Sequence, residues 1–254
     1  MILHVDPSAP AAVRLLADAA LALHISGGAA GLAAGTLALA ARKGGRRHRL
    51  AGDVFLFAML TMAGVGAVVA PMIGDVGSSF GGAITFYLVL TGWMAGRRTQ
   101  VKGGGFEVAG VAGLAVAMAV VSYLGRKALM SPGHQLAGVP WFAYFVMVGI
   151  AGLIAALDLK VILGPALVGP AKLARHIWRM GLGMWIALMS ALAQPKVGGV
   201  LFHGPTVNLQ WIPVAALVIT IAYWLVRVRH GPLYPPRKSR PAPRAAHPIQ
   251  EALS

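Results

Sequence analysis

The chain has 254 residues, of which 57% are apolar and 11% charged, against roughly 45–50% and about 25% in a soluble domain. That balance, with a mean hydropathy of +0.73, argues against a water-soluble globular fold. The absence of cysteine removes disulfides, iron–sulfur clusters and thiol chemistry, and a net charge of +15 points to nucleic acid only if the basic residues form one patch.

Seven apolar segments are predicted as helices, over 14–41, 50–72, 80–96, 106–125, 140–163, 174–194 and 207–228. At a rise of ~1.5 Å per residue most of them cross an apolar layer of about 30 Å, the third being short. A span must satisfy its backbone hydrogen bonds within itself in lipid, and these continuous runs lack the alternation of a β-barrel. The expected fold is all-α, an integral membrane bundle of seven transmembrane helices over 14–228. Residues 1–13 form a short external N-terminus that carries Asp6 and lacks the basic start of a signal peptide.

In the first span, Asp18 and His24 are the ionisable groups. His24 lies ~25 Å of helix from the inner end and shares a face with Gly28, Gly31 and Gly35, beside the stripe Gly27, Gly31, Gly35. Small residues every fourth position let a second helix approach closely, so His24 is expected to point into the bundle. Two readings stand for it: an imidazole bonded to a carbonyl or hydroxyl across that interface, or a haem-iron ligand, metal ligand or proton-relay group. The glycine stripe fits packing within the bundle or against a second protomer.

The turn Lys43-Gly44-Gly45-Arg46-Arg47-His48-Arg49-Leu50-Ala51-Gly52-Asp53 leads into the second span. Arg49 and Asp53 are four residues apart and are expected to pair, whereas His48 does not share the Asp53 face. Glu107 opens the fourth span and Asp158 lies near the inner end of the fifth. The sixth begins Arg175-His176-Ile177-Trp178-Arg179-Met180, where Arg179 could neutralise Asp53 or Asp158 across helices. Ionisable groups within a membrane are costly and therefore candidates for function. One reading makes Asp53, Asp158 and Glu107 ion-pair or proton-relay groups. Another makes His24, His48, His176, Arg49 and Arg179 a cofactor-binding set for an anionic headgroup, a quinone or the propionates of haem b. Residues 229–254 are basic and rich in proline, which predicts a disordered tail.

Basic residues gather in every second connection: Arg42 to Arg49, Arg97 to Lys102, Lys160 to Arg179, and the tail. The positive-inside rule then places the N-terminus outside and the C-terminus in the cytoplasm, and the same partition argues against nucleic acid as a partner. Membrane lipid is the expected surrounding, with a membrane-protein partner or a second copy of the chain as further candidates. Trp93, Trp178 and Trp224 fall near inner ends and Trp141 and Trp211 near outer ends, as interfacial rings do.

The histidine of the first span, the Lys-Gly-x-x-x-His-Arg-x-x-Gly turn at 43–52 and the Arg-His-x-Trp-Arg-Met start of the sixth span resemble a family of bacterial polytopic membrane proteins known only as a domain of unknown function. The resemblance covers most of 14–228 and matches at His24, Lys43, Gly44, His48, Arg49, Gly52, His176, Trp178, Arg179 and Met180. It implies a bacterial inner-membrane location and a helical bundle, and it implies no activity. Nucleotide-binding glycine loops and His-Glu-x-x-His do not occur, which leaves zinc hydrolysis and nucleotide-driven pumping poorly supported. Three functions stay open: a membrane accessory or scaffold protein, a haem-b or quinone-associated electron-transfer protein, and a proton-coupled transporter of small solutes. For ligation by two histidines at one depth, His24 has only the loop residues His134 or His203 as outer partners, and His48 with His176 makes the better-matched inner pair.

Overall fold

The computed structural model describes residues 10–194 and 197–230, and each of the seven apolar segments forms a helix. These are α1 (Ala11–Ala40), α2 (Arg46–Val69), α3 (Val76–Arg97), α4 (Gly105–Met130), α5 (Trp141–Leu163) and α6 (Gly169–Leu192), followed by a four-residue α7 (Gly198–Leu201) and then α8 (Trp211–His230). A two-stranded hairpin, β1 (Gln135–Leu136) with β2 (Val139–Pro140), links α4 to α5. Five helical stretches are long and apolar enough to cross a membrane, those containing α1, α2, α4, α5 and α8. The predicted tail beyond His230, and most of the predicted external N-terminus, lie outside the described residues.

The two long helices outside that set, α3 and α6, form the centre of the bundle. α3 packs on α2 and α6, and α6 packs on α3 and α8, while α1 lies against α2, and α4 against α5. The buried charges of α6, Arg175 and Arg179, are sheltered by protein there, where polar groups can find partners. The third helix is longer than its apolar run suggests. The Asp75 side chain caps it, accepting from the Ser78 amide at 2.9 Å and the Ser78 hydroxyl at 2.6 Å, so the polar residues before Phe80 are helical too.

Two hydrophobic cores flank the α3–α6 seam. On one side Ile84 and Leu88 of α3 meet Leu114 and Val121 of α4 and Ile154 of α5. On the other, Val89 of α3 and Met184 of α6 meet Phe55 and Met59 of α2, Ala34 of α1 and Leu217 of α8. The α1 glycine stripe is spent inside this second core: Gly27, Gly31 and Gly35 are buried, and a Cβ at Gly31 would stand 2.8 Å from the Met59 sulfur. At the end of the bundle where α3 stops and α6 starts, Val101 and Leu167 exchange backbone hydrogen bonds of 2.9 and 2.7 Å. Lys172 ties the same two connections together through the Arg98 carbonyl at 2.6 Å.

Candidate ligand-binding site

The ends of α1, α2, α3, α6 and α8 leave a cavity of about 380 Å³ between them, within the roughly 300–1,000 Å³ range of small-molecule sites. Phe55, Trp93, Met180, Met184, Ile221 and Trp224 give it apolar and aromatic walls, and Lys43, Arg49, Asp53 and Arg97 stand among its lining with His48 and His176. The basic turn after α1 and the start of α6, far apart in sequence, thus meet in one space.

Each histidine is held the same way. His48 donates from Nδ1 to the Ala38 carbonyl at 3.0 Å, and His176 donates from Nδ1 to the Gly92 carbonyl at 2.9 Å. A carbonyl can only accept, so each ring carries a proton on Nδ1, and in the neutral imidazole it is Nε2 that presents the lone pair. The ring centroids are 6.4 Å apart with planes inclined at 79°. Glycine makes this fit: a Cβ at Gly96 would lie 2.8 Å from the His176 Nδ1. Gly44, at φ +72°, supplies the left-handed turn that folds the segment before His48 back on α1.

Lys43 is the cap of α1. Its ammonium donates to the carbonyls of Ala38 at 3.1 Å, of Leu39, and of Ala41 at 3.4 Å, and lies 4.7 Å from the centre of the Trp224 ring. A cation is favoured at a helix C-terminus, although partial burial pushes its pKa below the usual lysine value. The expected pairing of Arg49 with Asp53 does not form. Arg49 turns back to the Gly44 carbonyl at 2.9 Å, and Asp53 is taken across the helix interface by Arg97 at 2.5 Å and by the indole N–H of Trp93 at 2.9 Å. Nη2 of Arg97, in the last turn of α3, reaches both carboxylate oxygens, and with the Trp93 indole α3 supplies two donors where Arg49 would supply one. His48 and Asp53, which do not share a helix face, both reach this cavity.

Across the seam the charges are enclosed. Asp158 is fully buried and accepts from Arg175 Nη1 at 2.7 Å, from Arg179 and from the Tyr87 hydroxyl at 2.6 Å. Arg179, also fully buried, donates to the Thr91 hydroxyl and stacks between the Tyr87 and Trp178 rings. Arg179 therefore neutralises Asp158 and not Asp53, and it belongs to this cluster instead of the cavity. Two guanidiniums face one carboxylate, and Nε and Nη2 of Arg175 and Nε of Arg179 have no partner among the described residues.

The remaining candidates are structural. His24 points into the bundle and bonds through Nδ1 to the Met62 carbonyl at 2.9 Å. Its Cε1 lies 3.3 Å from the place of a Cβ on Gly66. Glu107 is buried at the start of α4, where its carboxylate accepts from the Gly104 amide at 3.2 Å as a helix cap. Asp18 is exposed on α1. The sequence marked Trp93 and Arg97 only as an interfacial ring and a topology signal, and it did not single out Tyr87 or Thr91; a basic residue in the last turn of a helix that ends beside a carboxylate was the available signal for Arg97 at this site. No family model, curated protein or solved structure matches this chain, so function rests on the site's own chemistry.

Proposed function

We propose that this chain is a multi-pass protein of the bacterial inner membrane that holds an amphiphilic ligand with an anionic end in its cytoplasmic leaflet. All seven long helices cross in this reading, with the N-terminus outside and the C-terminus in the cytoplasm. The basic connections at 42–49 and 97–102 then lie on the cytoplasmic side, as does the cavity they border.

The observation that carries the reading is the cavity itself: aromatic and aliphatic walls with Lys43, Arg49 and Arg97 against the single carboxylate of Asp53. Apolar walls with a few convergent polar groups are what a ligand site requires, and the cationic excess selects an anionic end. An accessory or scaffold role leaves this space without a purpose. The acids a proton-coupled transporter would use, Asp53 and Asp158, are each held by arginine.

Organic extraction of the detergent-purified protein, followed by mass spectrometry, tests the reading. An amphiphile at near-stoichiometric level, reduced several-fold in Arg97→Gln, is the expected result; an extract indistinguishable from that of an unrelated membrane protein overturns it. The cysteine-free sequence also permits a direct check on orientation. Arg46→Cys should react with an impermeant thiol reagent from the cytoplasmic side and Arg126→Cys from the outside, and labelling of both from one side would refute the topology.

A further inference from the structure

We infer that the ligand of this cavity is haem b, with its iron between Nε2 of His48 and Nε2 of His176. The inference rests on the ligand-holding reading above and names the chemical class of its ligand. Three independent features of the site lead to it.

The first is the preparation of the two imidazoles. A histidine that ligates a metal commonly donates its other ring N–H to a backbone carbonyl, which fixes the tautomer and the ring orientation. Both His48 and His176 do so, to Ala38 and Gly92, and neither Nε2 has a hydrogen-bond partner among the described residues. The hydrogen bond His24 makes to Met62 is similar, but among the described residues no second histidine is recorded in ring contact with it as His176 is with His48.

The second is spacing. With metal–imidazole bonds of roughly 2 Å, two imidazoles on opposite sides of one ion place their ring centroids about 6 Å apart, and the rings are free to rotate about the shared axis. The observed separation is 6.4 Å, with planes at 79°. A bare ion asks for more: structural zinc takes four protein ligands, and no group of three or more His, Cys, Asp or Glu among the described residues could hold a metal. A porphyrin brings four nitrogens of its own and asks the protein for two axial ligands.

The third is the shape and charge of the space around the pair. Trp93, Trp224, Phe55 and Met184 provide a wide apolar lining for a macrocycle, and Lys43, Arg49 and Arg97 provide donors for two propionates. Beside His48 on α2, Gly52 faces open space, with no atom within 4 Å of where its Cβ would stand. A flat ring can approach the backbone closely there.

The full-length protein, purified in detergent from cells supplied with haem, tests the inference by absorption spectroscopy. A Soret band and a sharp α-band on reduction are expected, with haem content near one per chain by the pyridine haemochrome assay. His48→Ala and His176→Ala should each lower haem content at least tenfold, while His24→Ala retains it. Because an alanine variant could fail to fold, His176→Met provides a second measurement: haem is retained with a shifted α-band if residue 176 ligates the iron. Haemin titrated into the haem-depleted protein should restore the spectrum of wild type and not that of the His48→Ala, His176→Ala double variant.

Haem at full occupancy in both alanine variants, or an equal haemin response from the double variant, overturns this ligation. A colourless protein that yields an organic amphiphile on extraction overturns haem and leaves the ligand-holding reading intact. A colourless protein with an empty extract overturns both.

Discussion

The two sides of the α3–α6 seam use neighbouring residues for opposite ends. On α6, Arg175 and Arg179 face the closed side while His176 and Met180 face the cavity; on α3, Thr91 accepts from Arg179 and the adjacent Gly92 carbonyl accepts from His176. On the closed side Tyr87, Arg175 and Arg179 all donate to one carboxylate, and Asp158 and both arginines are buried. On the open side the two histidines are fixed through one nitrogen and left unpaired at the other. A saturated carboxylate belongs to architecture, whereas a fixed imidazole with a vacant lone pair is prepared for a ligand.

The largest expected effect lies on the closed side. Asp158→Asn leaves two buried guanidiniums without a counter-charge, and breaking a buried pair from one side costs about 3–5 kcal/mol. A fall in the thermal midpoint of the detergent-solubilised protein, with reduced yield, is the expected readout. Replacing Asp158, Arg175 and Arg179 together by apolar residues of similar volume should recover most of that loss, because the desolvation cost disappears with the charges. A triple variant as unstable as Asp158→Asn would show that the cluster does more than hold helices together.

Next in size is Gly96→Ala, which acts on the open side. Its methyl group would stand 2.8 Å from the His176 ring, and crowding of this kind costs about 1–3 kcal/mol. The imidazole must shift from the Gly92 carbonyl, so ligand affinity should fall by more than stability alone explains. Binding and thermal midpoint measured on the same preparation separate the two effects. Unchanged affinity would break the contrast between the sides.

Much of this architecture is legible in the sequence, because long apolar runs mark the helices directly, five of them in stretches long and apolar enough to cross a membrane. All seven helices and the meeting of His48 with His176 follow from blocks of about the bilayer's length and from basic residues in alternate connections. The partners of the carboxylates were harder to read. The i,i+4 rule describes one helix in isolation, and it favoured Arg49 for Asp53; the actual partner, Arg97, depends on how α2 and α3 are set against each other. The same limit hid Tyr87 and Thr91, whose hydroxyls acquire a role only after α3 packs on α5 and α6. Glu107 resembled a relay acid because an intramembrane charge stands out, yet its use is the local one of closing a helix start.

A smaller effect is expected at Gly44, whose φ of +72° an L-residue adopts at a cost of roughly 1–2 kcal/mol. Gly44→Ala should lower the thermal midpoint modestly and loosen the turn that positions His48, whereas Gly105→Ala, with no neighbour within 4 Å of the new methyl, should leave the cavity unaffected.

The smallest effect on stability, and the one that discriminates best, belongs to Asp53. Its pair with Arg97 is substantially exposed, at 47% and 33% for the two side chains, and such pairs contribute about 0–1 kcal/mol. Asp53→Asn should therefore leave the thermal midpoint almost unchanged, in contrast to Asp158→Asn. Its consequence is electrostatic: removal of the carboxylate releases Arg97 and increases the positive excess along the cavity lining. An anionic ligand should then bind several-fold more tightly at low salt, with the gain shrinking as ionic strength rises. Weaker binding at every salt concentration would mean that Asp53 touches the ligand itself. In that case the charged groups on the two sides of the seam could no longer be divided into those that hold the fold and those that serve the site.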